Sequence, residues 1–311
     1  MNRIAIIIPY FGKWPEWVDL YLYSCSMNPE IDWHLFTDCE PKQQSSNIIF
    51  HPTTFDDYCK GVSECLNIHF YPETAYKLCD LKPFYGFIHA DILARYEFWG
   101  YGDIDTTWGN IRAFYTDGLL RKYDVFSTHA DRLSGHLAIL RNNKQLIESC
   151  FKIKDWQTKL ENKSNFALDE NDFSNILYPV SKYIRKFYGR VICRIFNWRD
   201  AWVIYYNMMP VLNWLFWIKQ RKLYFREQHT TPILSNDGLS CKHDADTWYY
   251  KHGEITNNKT SQKYIYLHFM IFKKNSFRSD YFWKNFFYQV RNRSFSTETI
   301  VINRVGISQQ N

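Results

Sequence analysis

Asp103 and Asp105, two carboxylates one residue apart, follow a Gly100-Tyr101-Gly102 run in a chain of 311 residues. Alternate residues of a strand share a face. At a strand end such a pair can aim several oxygens at one hard divalent cation, Mg²⁺ or Mn²⁺. Without a cation or another partner, two charges this close are expensive to bury. A bare D-x-D is equally a solvated turn, so its company decides. Lys77, Asp80 and Lys82 precede Pro83, whose fixed φ suits the first turn of a helix; a lysine there opposes the helix dipole and favours a role towards an anion. Glu170-Asn171-Asp172 lies in an acidic helix start over residues 168–177. Dipole complementation alone explains those acids at about 0.3–1 kcal/mol each, while a carboxylate there also suits proton abstraction. His268 lies in the apolar run 264–269, ordinarily the setting of a core histidine, yet an imidazole is also a competent cation ligand.

The elements that must position these residues follow from periodicity. The β-branched run Ile4 to Ile8 predicts a strand covered on both faces. A helix is expected over 14–27, strands over 31–36 and 48–50, and a helix over 55–66. This order indicates an α/β fold of the Rossmann type with an open, mixed central sheet. Ligands of such sheets sit beyond the carboxyl ends of the strands, which puts Tyr10, Phe11 and Asp38 at one crevice. Phe84, Phe87, Ile88, Ile92 and Tyr96 have helical spacing and lead to the acidic pair. Strands are expected over 123–127, 137–142, 247–250, 264–269 and 297–301, and a helix over 281–290.

The formal net charge of +6 is unevenly distributed. Residues 181–226 hold ten Lys and Arg against the single acid Asp200, a net of +9, which leaves −3 for the rest. Ile184, Phe187, Tyr188, Val191, Ile192, Ile195 and Phe196 form one helical stripe opposite Lys186, Arg190 and Arg194. The uncharged stretch from Ala201 to Ile218 is interrupted by Asn207, Pro210 and Asn213. Two readings of this block stay open, a helix pair in the core and a basic aromatic surface lying in a membrane interface; a span is disfavoured by the interruptions. The division expected is a catalytic core over 1–180, this helical insertion over 181–230, and a part completing the core over 231–311. Eight cysteines without C-x-x-C spacing, and an N-terminal apolar run too short for a secretion signal, predict a reduced, cytoplasmic chain peripherally associated with the inner face of the plasma membrane.

Taken together, Lys77…Asp80…Lys82-Pro83, Gly100-Tyr101-Gly102-Asp103-Ile104-Asp105, Ser134-Gly135-His136-Leu137…Arg141-Asn142, Glu170-Asn171-Asp172 and His268 resemble the metal-dependent GT-A glycosyltransferases, in particular transferases of bacterial surface polysaccharide (O-antigen or capsule) assembly. The likeness covers most of residues 1–180 and resumes at 262–275. It implies a single nucleotide-sugar-binding α/β domain and transfer of a hexose from a UDP-sugar, such as UDP-galactose or UDP-glucose, to a lipid-diphosphate-linked glycan. Asp103, Asp105 and His268 would hold Mn²⁺ or Mg²⁺, with Asp105 the more direct ligand. Tyr10 or Phe11 would stack on the base, with Asp38 near the nucleoside. Lys77, Asp80, Lys82, Asp103 and Lys274 would line the donor diphosphate and sugar; Ile271 departs from the glycine the family carries three residues before that lysine. Ser134, Gly135, His136 and Asn171 would meet the acceptor. Asp172, then Glu170, would take the acceptor proton, with inversion and retention both open. A metal-dependent hydrolase of nucleotide sugars or phosphate esters could use the same acids. A single-stranded nucleic-acid binder would use the basic aromatic block but leave Asp103 and Asp105 without a role, so no nucleic-acid partner is expected.

Overall fold

In strand β1 (Ile4–Pro9) the five residues from Ile4 to Ile8 are at most 2% exposed. Their alternation feeds two cores. Ala5 and Ile7 enter a cluster with Phe11, Phe36, Tyr58, Trp99 and Tyr101; Ile4, Ile6 and Ile8 enter another with Trp33, Trp108 and Tyr266. Burying each such isoleucine contributes roughly 2 kcal/mol, which is why this run forms the centre of a sheet rather than its edge. The computed structural model of the chain describes residues 3–42, 45–178, 204, 222–228, 230, 247–273, 295 and 298–310.

Among the described residues there are three sheets. The central one has seven strands in the order β3-β2-β1-β4-β7-β6-β8, where β2 is Ile31–Thr37, β3 Ile48–Pro52, β4 Phe98–Gly102, β6 Val125–Ser127, β7 Leu137–Arg141 and β8 Leu223–Phe225. Pairings β3–β2, β2–β1, β1–β4 and β6–β8 are parallel, whereas β7 runs antiparallel to both β4 and β6. The mixed α/β fold read from the sequence is therefore present. Strand β8 falls within the segment set apart as 181–230, so the chain rejoins the core sheet before residue 230. A ribbon pairs β5 (Thr106–Trp108) with β11 (Tyr266–His268), and a four-stranded antiparallel sheet runs β10-β9-β12-β13, with β9 Thr247–Lys251, β10 Glu254–Asn257, β12 Thr299–Asn303 and β13 Gly306–Gln310.

Helix α1 (Val18–Ser26) lies between sheets: Val18, Tyr21, Leu22 and Cys25 join the second core, and Leu20 packs with Trp248 and Tyr250 in a third. Ser24 within the helix and Asn28 just beyond it tie β5 in place. Ser24 Oγ accepts the Trp108 amide at 3.1 Å, and Asn28 donates to Gly109 O at 2.9 Å while accepting the Ile111 amide at 2.9 Å. Helix α2 (Phe55–Leu66) is capped by Thr54, whose side chain accepts the Asp57 amide, an N-cap of the ordinary kind.

The helix expected from Pro83 to Tyr96 is not continuous. Residues Ala75–Phe84 form a 3₁₀ helix that contains Pro83, followed by two single-turn helices, Tyr85–Ile88 and Ala90–Leu93. Proline has no amide to donate and its ring clashes with an α-helical turn before it, and the tighter winding turns Lys82 inward. Tyr85–Ile88 approaches β4 so closely that a Cβ on Gly86 would stand 2.6 Å from the Trp99 ring. The expected helix 281–290 lies outside the described residues.

Candidate functional site

Asp103 follows the carboxyl end of β4, beside the loops that follow β1 and β2. Its amide extends the β4–β7 pairing by one step, donating to His136 O at 3.3 Å. Lys82 Nζ donates to its Oδ1 at 2.6 Å, and His136 Nδ1 lies 3.1 Å from its Oδ2. Burial opposes the charge on Asp103, but Lys82, with His136, more than offsets it and holds the carboxyl at about 2. Lys82 is 6% exposed and also donates to Gly135 O at 3.0 Å, with Asp169 Oδ2 3.8 Å away. Burial works against the Lys82 ammonium as well; Asp103, Cys79 and Asp169 outweigh it and hold its pKa well above the ordinary value. Asp169 itself is pushed up to about 6, chiefly by burial.

Asp105 faces the late strand. Its Oδ2 lies 3.2 Å from His268 Nε2, and its carbonyl accepts the Phe269 amide at 2.8 Å. The β5–β11 ribbon, which sets His268 opposite Thr106, brings these residues together from 163 positions apart. The His268 and His136 rings lie 3.8 Å apart at 35°. Burial, then the neighbouring His136, lowers the His268 pKa, which keeps the ring neutral with a lone pair for a ligand.

The donor atoms of Asp103, His136 and His268 converge within 4.8 Å of one another. This set differs from the expected one. Asp105 pairs with His268, and His136, read from the sequence as an acceptor residue, takes a place among the donors. Two imidazoles and a carboxylate suit Mn²⁺ and its first-row neighbours better than Mg²⁺, which prefers oxygen throughout. A trio of His129, His136 and Glu170 converges within the same limit. Burial, then Arg132 and His136, drives the His129 pKa well below its ordinary value.

The acidic helix start divides. Residues Asp169–Phe173 wind as a π-helical turn rather than an α-helix, which sends its acids in different directions. Glu170 Oε1 accepts the Gly135 amide at 3.1 Å and its Oε2 lies 3.8 Å from Arg132 Nε; burial raises its pKa, but Arg132 leads the interactions that bring it below the usual range. Asp172, the first choice as base, pairs with Lys159 Nζ at 3.2 Å, and Asn171 donates to Phe166 O. Gly135 stands inside the charged cluster: a Cβ there would lie 3.3 Å from both Asp169 Oδ2 and Glu170 Oε1 and 3.5 Å from Lys82 Nζ. Ser134 shapes that turn by accepting the His136 amide at 3.2 Å.

Lys77 and Asp80, expected at the donor, instead hold each other. Their ion pair is 2.8 Å long and buried; Lys77 also donates to Lys159 O and Ser164 O, while Asp80 accepts the Phe166 and Leu168 amides. Together they fasten the segment leading to Glu170, a structural role at one remove from the cluster. Tyr10 does lie at the crevice. Its ring stacks on Trp14 at 5.4 Å, and burial, with the charges of Cys39, Asp105 and Asp38, pushes its hydroxyl up to about 12. Phe11 is a core residue against Phe55 and Tyr58 rather than a crevice residue. Asp38 Oδ1 accepts the Gly12 amide at 2.8 Å, closing the crevice between β1 and β2; Gly12, at φ 102°, adopts a backbone most side chains avoid. Lys274 lies outside the described residues. Sequence reasoning did not find His129, Asp169, Arg132 and Glu227; only Asp169 carried a signal, its adjacency to Glu170.

A family described as "Family of unknown function (DUF6625)" matches residues 6–298. No curated protein matches the chain. Among solved structures it is similar to the galactosyltransferase LgtC in complex with donor and acceptor sugar analogs, at 14% identity over 56% of this chain and 70% of that one, with a TM-score of 0.36. An active-site mutant of LgtC is similar at 12% identity, 56% and 70% coverage and a TM-score of 0.35. The apo-form glycosyltransferase GlyE of Streptococcus pneumoniae TIGR4 is similar at 9% identity, 60% and 50% coverage and a TM-score of 0.34.

Proposed function

The chain belongs to the DUF6625 family of unknown function, and from its site we infer that it is a metal-dependent glycosyltransferase of the GT-A type. The observation that carries this reading is the meeting of Asp103 with a buried lysine on one oxygen and a histidine on the other, beside a second histidine paired to Asp105. Such a grouping brings one fixed ammonium and a set of cation donors to the carboxyl end of β4, where open α/β sheets bind their ligands. A divalent cation held by Asp103, His136 and His268 would neutralise the charge that develops on a diphosphate leaving group. Lys82 supplies a second positive charge that needs no rearrangement when the bond breaks. Tyr10 offers a flat ring for a nucleobase, and Asp38 a carboxylate near the nucleoside. Asp172 and Glu170 are the two carboxylates available for the acceptor proton, Glu170 being held by the Gly135 amide and Asp172 by Lys159.

The donor in this reading is a UDP-hexose, and the acceptor a glycan on a lipid diphosphate in polysaccharide assembly. The basic aromatic block 181–226 supports the second part, since ten cations in 46 residues favour an anionic membrane face. A thermal-shift series with UDP-hexoses, with and without Mn²⁺, tests the first part, because a ligand that binds only the folded chain raises its stability. A Mn²⁺-dependent rise with one donor is expected, together with transfer of labelled hexose to a sugar acceptor and loss of both in Asp103→Asn. No shift with any nucleotide sugar rejects the reading, and release of free hexose with no transfer would favour a hydrolase.

A further inference from the structure

His129 sits in the turn after β6, Glu170 in the π-helical turn and His136 just before β7, and their donor atoms gather within 4.8 Å. His136 also belongs to the trio with Asp103 and His268. A neutral imidazole has one lone pair and one N–H, so holding both ions at once makes His136 a bridging imidazolate whose N–H proton passes to water when the second ion binds. Two observations set this group apart from an accidental neighbourhood. His129 Nδ1 lies 3.3 Å from Glu227 Oε1, and Glu227 is itself fixed by the Ala130 amide at 3.2 Å. A carboxylate on one ring nitrogen is the arrangement that orients a metal-binding histidine and leaves the other nitrogen to the ion. Glu170, for its part, is held by the Gly135 amide at 3.1 Å, at a position where only a glycine leaves the carboxylate its room. Arg132 Nε, 3.8 Å from Glu170 Oε2, is the competing cation.

We propose that His129, His136 and Glu170 form a second site for a first-row divalent transition cation, next to the one at Asp103, His136 and His268, with Glu227 orienting His129. Two imidazoles and a carboxylate favour ions such as Co²⁺, Zn²⁺ or Fe²⁺ over Mg²⁺. The inference goes beyond the transferase reading and gives Glu170 a ligand's role in place of a base's.

The probe is Co²⁺ alone, counted by equilibrium dialysis on the full chain and followed by its visible absorption, with no nucleotide or sugar present. Loss of ions in the His129 and Glu170 variants reads the second site whether or not the chain transfers sugar. Two ions per chain are expected, without the thiolate charge-transfer band that binding to cysteine would produce. His129→Gln and Glu170→Gln should each lower the count by one, as should His268→Asn, while His136→Asn should disturb both ions. Glu170 is partly exposed, so its glutamine variant is expected to fold, and far-ultraviolet circular dichroism checks this. A wild-type count of none overturns the proposal. So does a count of one or two that persists in both His129→Gln and Glu170→Gln. A single ion lost in those variants and kept in His268→Asn upholds it and counts against the first site alone.

Discussion

Lys82 is enclosed by Asp103, Asp169 and the Gly135 carbonyl, with almost no access to water. Removing one partner of such a group leaves uncompensated charge in a poorly solvated place, which ordinarily costs about 3–5 kcal/mol. Lys82→Met is therefore expected to lower the unfolding free energy by about that much in a urea titration. Mn²⁺ should recover part of the loss, because a cation beside Asp103 replaces the missing ammonium. A variant as stable as the wild type, with no response to Mn²⁺, would contradict the charge balance described here. At this scale the sequence was readable in part. Asp103, Lys82 and His268 were found because a carboxylate pair, a lysine before a proline and a histidine on an apolar strand are each costly unless used. The sequence reading puts Asp172 ahead of Glu170, whereas it is Glu170 that meets the Gly135 amide and Asp172 that pairs with Lys159; which acid turns inward depends on a π-helical turn that residue types do not announce. Lys77 and Asp80 read as ligands because a buried pair three residues apart has the same spelling as two residues facing a substrate.

Neighbouring strands β2 and β3 and the short helices after Pro83 share a ladder of histidines. His34 Nδ1 lies 2.9 Å from His51 Nε2, His34 Nε2 lies 3.0 Å from the Tyr96 hydroxyl, and His89 Nε2 lies 3.0 Å from the Tyr58 hydroxyl. Phe36 stacks on both His51 and His89. Asp32, which accepts from Tyr96, and Arg95 are the charged groups beside it. Burial, reinforced by the other histidines, lowers His34 to about 4 and His89 to about 3. Unfolded, both take up protons near pH 6.5, so the unfolded chain binds more protons across the interval below that. The ladder's stabilisation is complete above pH 6.5 and is lost as pH falls towards 4 and then 3. At about 1.4 kcal/mol per pKa unit, a decline on the order of 3 kcal/mol from each of the two histidines is expected between pH 6.5 and 4 from urea midpoints. His89→Gln, which keeps a partner for Tyr58 but cannot titrate, should show a shallower decline; an unchanged slope would assign the acid sensitivity to other groups. The strands of this region were legible from their β-branched and aromatic runs. The helix before β4 was not, because helical spacing of apolar residues survives a 3₁₀ segment and two single turns.

Along the whole chain, charge is unevenly placed. The described core carries the sheets, and the +9 block of residues 181–226 carries more than the net charge of the chain. Among the described residues no helix is long and apolar enough to cross a membrane. If the block meets an anionic surface, each basic residue near it contributes about 1 kcal/mol, and the attraction weakens with salt. The chain should therefore sediment with vesicles containing phosphatidylglycerol at low salt, not with neutral vesicles, and replacing Lys182, Arg185, Lys186 and Arg190 by glutamine should abolish the difference. Equal recovery on neutral and anionic vesicles would remove the electrostatic part of the membrane reading. Strands β1, β2 and β3 of the parallel half were legible in the sequence; the return of the chain to that sheet at β8 was not, since three residues are too few to show a period.

The β5–β11 ribbon also sets a time order. Asp105 and His268 meet across 163 residues, whereas β1, β2 and β3 pair within the first 52 positions. Closing a long loop must be met from chain entropy before its contacts return anything, so the cluster of Asp105, His268 and their neighbours, proposed above to hold an ion, is among the last features of the fold to assemble. In a refolding experiment, burial of Trp33 and Trp99, read as tryptophan fluorescence, should precede recovery of Mn²⁺ binding. If the native chain takes up the ion proposed for it, uptake becomes a clock hand for completed folding, and a refolding chain that glows like the native protein before it takes up the ion is one whose last ribbon has not closed.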